Sequence, residues 1–436
     1  MALSWSETGW VVLGVLIVCV LAVDGVGAEV VQSEPAFRAG VASVRITPAA
    51  PGAENPEGLF KPAGPIYLDG YYADRAATGV RDDLYAKALV LDDGNEQVAL
   101  VSVDLIGLFG QWADAIKVGV LGLEWDHIVV ACSHTHSSPC TLGVFGPAGK
   151  AVNLNYVSWV IGRIVEAIGQ AQENLRPARL LAGAVELPVR DQEMVGVAHN
   201  WHNPGVFDPS VAVLQVRDAA ADTPLATIVN FGNHPDVLTE ESTVISSDWV
   251  QEMRRRMAEK APGEVLFFNG ALGGIEPVAR EPHEQMLRQL GYGVADAALQ
   301  ALEKAEAIAA PDISTAWETV PFPVTSPDLL AAVGAGVVPV ALDTEGRTLA
   351  DISLIQIGPV QMVTVPGEPH PEVAAKVKAM MTGRYNFILG LANHELGYFV
   401  ALETWDPEGV QESLSAGRDN EPILLETVRR LLDALK

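Results

Sequence analysis

The amino-acid sequence predicts an α/β protein with a mixed β-sheet core covered by helices. Short apolar segments alternate along the chain with longer segments in which apolar residues recur at helical spacing. Several of the short segments are continuously apolar, which is typical of strands covered on both faces. The chain has 436 residues, 49% of them hydrophobic and 19% charged, and shows no internal repeat. This length and composition predict a globular protein and argue against a solenoid or propeller.

The predicted strands are the short segments that are richest in apolar and β-branched residues. Continuous runs such as IVVAC and LFF favour strands that are buried on both faces. The strands are expected at residues 98–106, 127–132, 225–231, 264–268, 351–357, 360–365 and 387–391.

Three longer segments, 153–173, 248–260 and 284–306, have the apolar spacing of amphipathic helices. The second begins at Asp248 and ends in basic residues, the charge distribution that the helix dipole favours. Residues 305–350 are rich in Ala, Pro and Thr without a strong period, and we expect a variable surface excursion or small subdomain there. No clear linker divides the chain, so one domain is expected.

The N-terminal segment has the features of an export signal. Residues 9–23 form an apolar run, and Val26-Gly27-Ala28 supplies the small residues that precede a cleavage site. The run is shorter than the ~20 residues of a membrane span. We therefore expect 1–28 to be a signal peptide, 29–436 to be an exported (periplasmic or extracellular) domain, and no stable membrane anchor to remain. An uncleaved anchor is the alternative, since no Lys or Arg precedes the run.

Acidic residues exceed basic ones along the whole chain. The formal net charge is -27, and loss of residues 1–28 would remove Glu7 and Asp24 and no basic residue, leaving -25. A surface of this charge repels polyanions, so nucleic acid is excluded as an expected partner.

Two cysteines, Cys132 and Cys140, follow the predicted signal peptide and flank the two histidines of a His-x-His motif. In an oxidising compartment they can pair as a disulfide. They can equally be two buried thiols, because a single pair does not define a disulfide framework.

Polar or glycine-rich loops follow several of the predicted strands directly. These loops lie at residues 133–139, 232–236, 269–277, 366–369 and 393–398. Ligands of sheets with parallel strands bind beyond the carboxyl ends of the strands. The spacing therefore predicts that residues far apart in the sequence meet at one edge of a sheet.

The His134-x-His136 motif is the most specific single signal of a metal site. Residues two apart in an extended chain face the same side, so both imidazoles can point at one centre. Neutral imidazole is a good zinc ligand. The alternative is a pair of surface histidines. Taken singly, His234, Glu368 and Tyr398 are weaker candidates, and the remaining histidines are expected to be structural or exposed.

Four short segments carry a more specific signal together. They are S-H-T-H-S-S-P at 133–139, N-F-G-N-H-P at 230–235, V-P-G-E at 365–368 and N-x-x-x-G-Y-x-V at 393–400. In this order they resemble the motifs of the neutral/alkaline, non-lysosomal ceramidase family, and residues 40–104 are similar to the start of its catalytic domain. The resemblance covers most of the chain after residue 29 and implies a single catalytic domain of the neutral ceramidase type.

The resemblance implies a zinc enzyme and assigns its ligands position by position. The four implied ligands are His134, His234, Glu368 and Tyr398. It also implies that His136 lies beside the attacking water and that Arg190 lies near the substrate carbonyl. Alignment of the 269–277 loop places Glu276 at a position where the family commonly has Asp or Ser, which makes it a third candidate catalytic residue.

The implied reaction is hydrolysis of an N-acyl amide bond in ceramide or a related acyl compound, so a lipid-like substrate is the expected partner. Zinc lowers the pKa of bound water from ~15.7 to about 7, and the resulting hydroxide attacks the acyl carbon. A donor such as Arg190 or His136 stabilises the oxyanion, and a histidine transfers the proton to the leaving amine.

The sequence departs from the family pattern at three places. Ser138 replaces the usual glycine of the histidine loop, Gly274 and Glu276 stand at the two polar positions of the 269–277 loop, and Val410 replaces an expected tyrosine. We also expect no counterpart of the family's C-terminal immunoglobulin-like domain. These departures leave two alternatives open: a zinc esterase or amidase acting on a small non-lipid substrate, and a non-catalytic zinc- or ligand-binding protein. No G-x-S-x-G motif supports a serine hydrolase.

Overall fold

The computed structural model describes residues 37–50, 52, 59–71, 74–145, 147, 151–194, 197–278 and 283–436. Pro35–Lys436 form one compact unit. The predicted signal peptide, residues 1–28, lies outside the described residues, so the structure does not test it. Among the described helices, none combines the length and the apolar character needed to cross a bilayer.

The strands of the described residues, in chain order, are β1 (Arg38–Arg45), β2 (Gly79–Val80), β3 (Tyr85–Asp92), β4 (Gln97–Val103), β5 (Ile128–Cys132), β6 (Arg176–Glu186), β7 (Val189–Arg190), β8 (Glu193–Met194), β9 (Ala198–Asn200), β10 (Ser210–Asp218), β11 (Pro224–Phe231), β12 (Val244–Ile245), β13 (Glu264–Asn269), β14 (Ile275–Pro277), β15 (Glu306–Ala307), β16 (Ile313–Pro323), β17 (Arg347–Ile357), β18 (Val360–Thr364), β19 (Glu368–Pro369), β20 (Tyr385–Leu389) and β21 (Tyr398–Phe399).

The α-helices are α1 (Gly110–Gly119), α2 (Leu154–Glu173), α3 (Trp249–Lys260), α4 (His283–Glu303), α5 (Pro327–Gly334), α6 (Pro371–Met380), α7 (Val410–Ser413) and α8 (Asn420–Ala434). Helices α2, α3 and α4 lie where the sequence predicts helices. Helices α2 and α3 begin at residues whose side chains cap the helix. Asn153 accepts a hydrogen bond from the Tyr156 amide, and Asp248 accepts one from the Trp249 amide.

Two large sheets form the core. In the first, neighbouring strands follow the order β13-β11-β10-β6-β1-β3-β4-β5, with β15 paired to β6. In the second, the order is β16-β17-β18-β20. Both sheets are mixed, because β11–β13, β4–β5 and β18–β20 pair in parallel and their other neighbours are antiparallel. The predicted mixed-sheet α/β fold is therefore confirmed.

The four hydrophobic clusters show how the layers stack. One cluster joins the inner faces of the two sheets, where Leu100 and Ile228 of the first meet Met362 and Phe387 of the second. Two others place α1 and α2, and α3 and α4, on the outer face of the first sheet. The last places α6 and α8 on the outer face of the second. The result is a helix–sheet–sheet–helix arrangement, in which the inner strands are buried on both faces as their continuous apolar sequences predict.

The 305–350 segment, expected as a variable excursion or small subdomain, is not irregular throughout. Strand β16 lies within it and pairs with β17 over its full length, from Ile313 opposite Ile357 to Pro323 opposite Arg347. Because β16 is an edge strand, it tolerates Pro321 and Pro323, which weaken a strand prediction from sequence. Helix α5 completes the segment.

Of the two alternatives for the cysteines, the structure shows free thiols. Cys132 and Cys140 are both buried and are not joined by a disulfide. Burial raises the pKa of both thiols, which disfavours the reactive thiolate.

Candidate metal and active site

Five predicted site residues converge from four loops at the carboxyl ends of strands. His134 and His136 follow β5, and His234 follows β11. Glu368 and Tyr398 begin β19 and β21, whose parallel pairing places these two residues opposite each other. The predicted loops therefore do come together, but they leave both large sheets and not one edge of a single sheet.

The three histidines form a compact group. Ring centroids lie 5.0 Å apart for His134 and His136, 4.8 Å for His134 and His234, and 5.5 Å for His136 and His234. One nitrogen from each ring can be chosen so that all lie within 4.8 Å of one another. One oxygen of Glu368, Oε2, lies 3.4 Å from His134 Nε2 and 3.1 Å from His234 Nε2. This grouping is suited to a single metal ion.

Backbone carbonyls orient two of the imidazoles. His134 Nδ1 lies 2.7 Å from the carbonyl oxygen of Ile106, and His234 Nδ1 lies 2.8 Å from that of Ile275. A carbonyl oxygen only accepts hydrogen bonds, so each Nδ1 carries the proton and donates it. Each Nε2 faces Glu368 and, when the ring is neutral, is the nitrogen that can bind a metal ion. This is the arrangement of metal-binding histidines, whose second nitrogen is held by a hydrogen bond.

The backbone at His134 is held in an unusual conformation. Its φ is 72°, in the left-handed region that non-glycine residues seldom occupy. The amide of His134 donates to the carbonyl of Leu105 at 2.9 Å, and the preceding Ser133 amide donates to Val103 at 2.8 Å. Such strain persists where the surrounding structure enforces it and is concentrated at functional sites. Here it turns the His134 side chain toward the two other rings.

The electrostatic field differs between the two oriented histidines. Burial lowers the pKa of His134 to about 4, against the opposing effect of Glu368. Burial also acts to lower the pKa of His234, but the negative charge of Glu276 and the hydrogen bond with Glu368 outweigh it and raise the pKa to about 10. A field that favours a proton on His234 also favours a metal cation at the same place.

His136 adjoins the other two histidines but is held differently. Both of its ring nitrogens are inaccessible to solvent and have no hydrogen-bond partner within the described part of the chain. Burial, followed by the neighbouring histidines, lowers its pKa well below the usual value, so the ring is neutral near pH 7. Gly70 gives the ring its space, because a Cβ there would lie 2.4 Å from His136 Cγ. Tyr71 packs against the ring edge at a centroid distance of 5.2 Å.

Two acidic residues, Asp236 and Glu276, lie beside these histidines, and the sequence analysis identified only Glu276. Tyr71 donates from its hydroxyl to Asp236 Oδ2 at 3.2 Å, and Glu276 Oε1 lies 3.9 Å from His234 Nδ1. Asp236 and Glu276 also form a hydrogen bond; burial, followed by the charge of Glu276, raises the pKa of Asp236 well above its usual range. Sequence reasoning named Glu276 and missed Tyr71 and Asp236, although Asp236 stands two residues after His234.

A cavity of about 300 Å³ opens onto the histidines and is lined by two kinds of side chain. The apolar lining consists of Ile106, Phe109, Leu142, Val144, Phe145, Leu329, Leu396 and Leu414. The polar lining consists of Tyr71, His134, His136, Asp236, Glu276, Glu368, Glu395 and Tyr398. An apolar pocket with a few convergent polar groups is typical of a small-molecule site.

The structure does not bring Arg190 to this cavity. Arg190 is exposed in the two-residue strand β7 and does not line the cavity, so its role at the substrate carbonyl stays a prediction. The arginine beside the histidines is Arg75, which donates to the backbone oxygen of His136 at 2.6 Å and that of Ser242 at 3.1 Å. Arg75 thus supports the histidine loop. Its position in the sequence, after an Asp-Gly-Tyr-Tyr run, offered little indication of this.

The three departures from the family pattern have different structural consequences. Ser138 is accommodated inside the histidine loop, where its hydroxyl accepts from the Ile106 amide at 3.2 Å. Gly274 adopts a φ of 75° beside Asn200 and does not line the cavity. Val410 is 73% exposed, at the start of α7. Of the departures, only Glu276 therefore contributes a side chain to the cavity.

Comparison with known proteins agrees with this architecture. No known family model matches the chain. The structure is similar to that of a neutral ceramidase from Pseudomonas aeruginosa, with a TM-score of 0.76 and 16% identity over 92% of this chain and 74% of that chain. It is also similar to a ceramidase complexed with C2, with a TM-score of 0.73 and 17% identity over 92% of this chain and 76% of that chain. The chain therefore has the fold of the neutral ceramidases.

Proposed function

We propose that this protein is a zinc-dependent hydrolase of N-acyl amide bonds, acting on ceramide or a related acyl compound. The observation that carries the proposal is the convergence of His134, His234 and Glu368 beside a largely apolar cavity that His134 and Glu368 line, with both Nε2 atoms directed at one carboxylate oxygen. The shared fold with two ceramidases supports the type of substrate.

The donor set fits a zinc ion. Two imidazole nitrogens and a carboxylate oxygen are zinc-compatible ligands, and buried Glu368 Oε2 lies within 3.4 Å of both Nε2 atoms. His134, His234, Glu368 and Tyr398 would hold the ion. Burial, followed by the charge of Glu368, raises the pKa of Tyr398 well above its usual value, and a bound cation acts in the opposite direction. When bound, zinc supplies Lewis-acid polarisation of the acyl group and activation of water.

The protein's own residues supply proton transfer and orientation. His136, neutral near pH 7, accepts a proton from the attacking water at a free ring nitrogen and returns it to the leaving amine. Asp236 and Glu276 line the same cavity and offer carboxyl oxygens that accept hydrogen bonds from the leaving amine. The apolar lining holds the acyl group away from water.

A comparison of substrates tests the proposal. Zinc-loaded full-length protein is incubated with short-chain ceramide, long-chain ceramide in detergent and simple N-acyl amides, and release of the free acid is measured. A chelator-treated sample is the control. Turnover of at least one amide that stops on chelation is expected. Absence of turnover on all of them, with zinc bound, would favour the alternative of a non-catalytic zinc-binding protein, and turnover of esters alone would favour a zinc esterase.

Export is a further part of the proposal and rests on the sequence of residues 1–28. N-terminal sequencing of protein from its native host is expected to begin at or within a few residues of Glu29. Recovery of intact Met1 in the cytosol would overturn this part alone.

A further inference from the structure

A buried carboxyl group in the cavity has no role in the reaction described so far. Glu395 is 6% exposed and lines the cavity. Its Oε1 accepts a hydrogen bond from the Gly397 amide at 2.9 Å. Its Oε2 is also buried and has no hydrogen-bond partner within the described residues. Buried polar atoms are nearly always paired, so this oxygen is suited to a partner from outside the described residues, such as a bound ligand.

The surroundings of Glu395 are those of the apolar part of the cavity. A Cβ built on Gly107 would lie 3.2 Å from Glu395 Oε2 and 3.2 Å from Leu142 Cδ2, so the carboxyl group and Leu142 flank the same glycine. Leu142 and the adjacent Leu396 line the cavity with Glu395. A lone carboxyl group in an otherwise apolar wall recognises a specific polar atom of a ligand.

The backbone that carries Glu395 is held in place. The Glu395 amide donates to His394 Nδ1 at 2.7 Å, and the side chain of nearby Asn393 accepts from the Val130 amide at 3.0 Å. A carboxyl group can pair with a hydroxyl group of a ligand in either of its protonation states, as acceptor or as donor.

We propose that Glu395 hydrogen-bonds an oxygen atom on the acyl group of the substrate, so that the enzyme prefers short, oxygen-substituted acyl groups to plain alkyl chains. The inference rests on the proposed amide hydrolysis and deepens it. The acyl group is assigned to this wall because Asp236 and Glu276 suit the leaving amine. The cavity volume of about 300 Å³ is at the lower end for ligand sites, which agrees with a short acyl group.

The test uses hexanoyl 4-nitroanilide and a series that carries one hydroxyl group at successive carbons of the hexanoyl chain. For wild-type protein, kcat/KM is expected to be about tenfold higher for at least one hydroxylated substrate, equivalent to about 1.4 kcal/mol, mainly through a lower KM. Glu395→Leu is expected to abolish this preference, and Glu395→Gln to keep part of it, because an amide also donates.

A matched control is Glu412→Gln. Glu412 is likewise buried, at 4% exposure, and one of its oxygens also has no partner among the described residues, but it binds His202 and does not line the cavity. The substrate preference is expected to be unchanged in this variant. If Glu395→Leu lowers kcat/KM by the same factor for all substrates, the role of Glu395 is merely structural and the inference is overturned.

Binding separates this inference from the proposed function. Calorimetry in the His136→Ala background measures the affinity for hexanamide and the hydroxyhexanamides without turnover. Turnover with no preference in rate or affinity overturns the role of Glu395 and leaves amide hydrolysis standing. A preference in affinity that Glu395→Leu removes, together with no turnover by the wild type, supports Glu395 and overturns amide hydrolysis. If there is no turnover and no preference in rate or affinity, both the role of Glu395 and amide hydrolysis are overturned.

Discussion

His234 Nε2 lies 3.1 Å from Glu368 Oε2, although the two residues follow strands of different sheets. His234 follows β11 of the first sheet, and Glu368 follows β18 of the second. The candidate metal site therefore lies at the junction of the two sheets. Its geometry depends on how the sheets pack, and each residue's contribution can be tested separately.

Zinc content tests the ligand assignment. Purified protein is expected to contain close to one zinc per chain, and His134→Ala and His234→Ala are expected to lose most of it, because each removes an oriented Nε2 donor. Elemental analysis of dialysed protein provides the measurement. His127→Ala is the control, since His127 contacts Thr315 away from the site. Unchanged zinc in both site variants would contradict the assignment.

His136→Ala is expected to keep zinc and to lower kcat on the order of 100-fold, because it removes the proton-transfer group while the proposed ligands remain. Zinc content and turnover are measured on the same preparation. Since His136 belongs to the compact histidine group, loss of zinc in this variant would show instead that His136 is a ligand.

Gly70→Ala tests the space around His136. The new Cβ would lie 2.4 Å from His136 Cγ, and the φ of Gly70 is 98°, so the ring must move. A displacement of this kind is expected to lower kcat about 100-fold with zinc retained. Gly64→Ala is the matched control, because no atom lies within 4 Å of its added Cβ. Equal activity of the two variants would show that the position of His136 does not matter.

Arg190→Ala tests the role that the family resemblance implies. If Arg190 stabilises the oxyanion, kcat/KM falls on the order of 100-fold and zinc is retained. Arg179→Ala serves as the control, because Arg179 is also an exposed arginine and its ion-pair partner, Asp222, is not a proposed site residue. Turnover that is equal in the two variants would agree with the exposed position of Arg190 outside the cavity.

The buried Lys117–Asp351 pair makes stability depend on pH. Their Nζ and Oδ2 atoms are 2.7 Å apart, and the side chains are 2% and 9% exposed. Removing one partner, as in Lys117→Met, is expected to destabilise the protein by about 3–5 kcal/mol at pH 7. Burial acts to raise the pKa of Asp351, but the charge of Lys117 and the hydrogen bonds outweigh it and lower the pKa.

A lowered folded pKa means that the stabilisation is complete above the unfolded pKa of about 3.9 and is lost as pH falls through the folded pKa. The difference between wild type and Lys117→Met in urea unfolding is therefore expected to shrink below about pH 4. Arg347→Met, which breaks the more exposed pair with Asp343, is expected to have little effect. A difference that is constant from pH 7 to pH 3 would contradict the role of the ion pair.

Local features of the sequence were enough to predict seven of the longer strands, three of the helices and the metal-site candidates. The strand predicted at 225–231 is observed at Pro224–Phe231, and the helix predicted at 153–173 is observed at Leu154–Glu173. Apolar periodicity reports burial directly, so such segments are recognisable without a structure. The His134-x-His136 motif is equally local.

Other site residues were not recognisable, because their chemistry comes from their neighbours. Tyr71, Asp236 and Glu395 belong to common residue types, and only burial in the cavity gives them a role. Arg75 was not recognisable for the same reason, because its partners are backbone carbonyls of loops that are distant in the sequence.

By itself, the sequence determined the fold class and the order of the motifs, because both depend on local patterns of residues, and the family resemblance implied that Glu368 shares a metal with His134 and His234. The tertiary structure decided how closely these three residues approach, that Arg190 is exposed, and that the cysteine thiols are free. The approach of Glu368 to the histidines depends on the packing of two sheets across an apolar interface formed by residues from distant parts of the chain, and no local pattern encodes that packing.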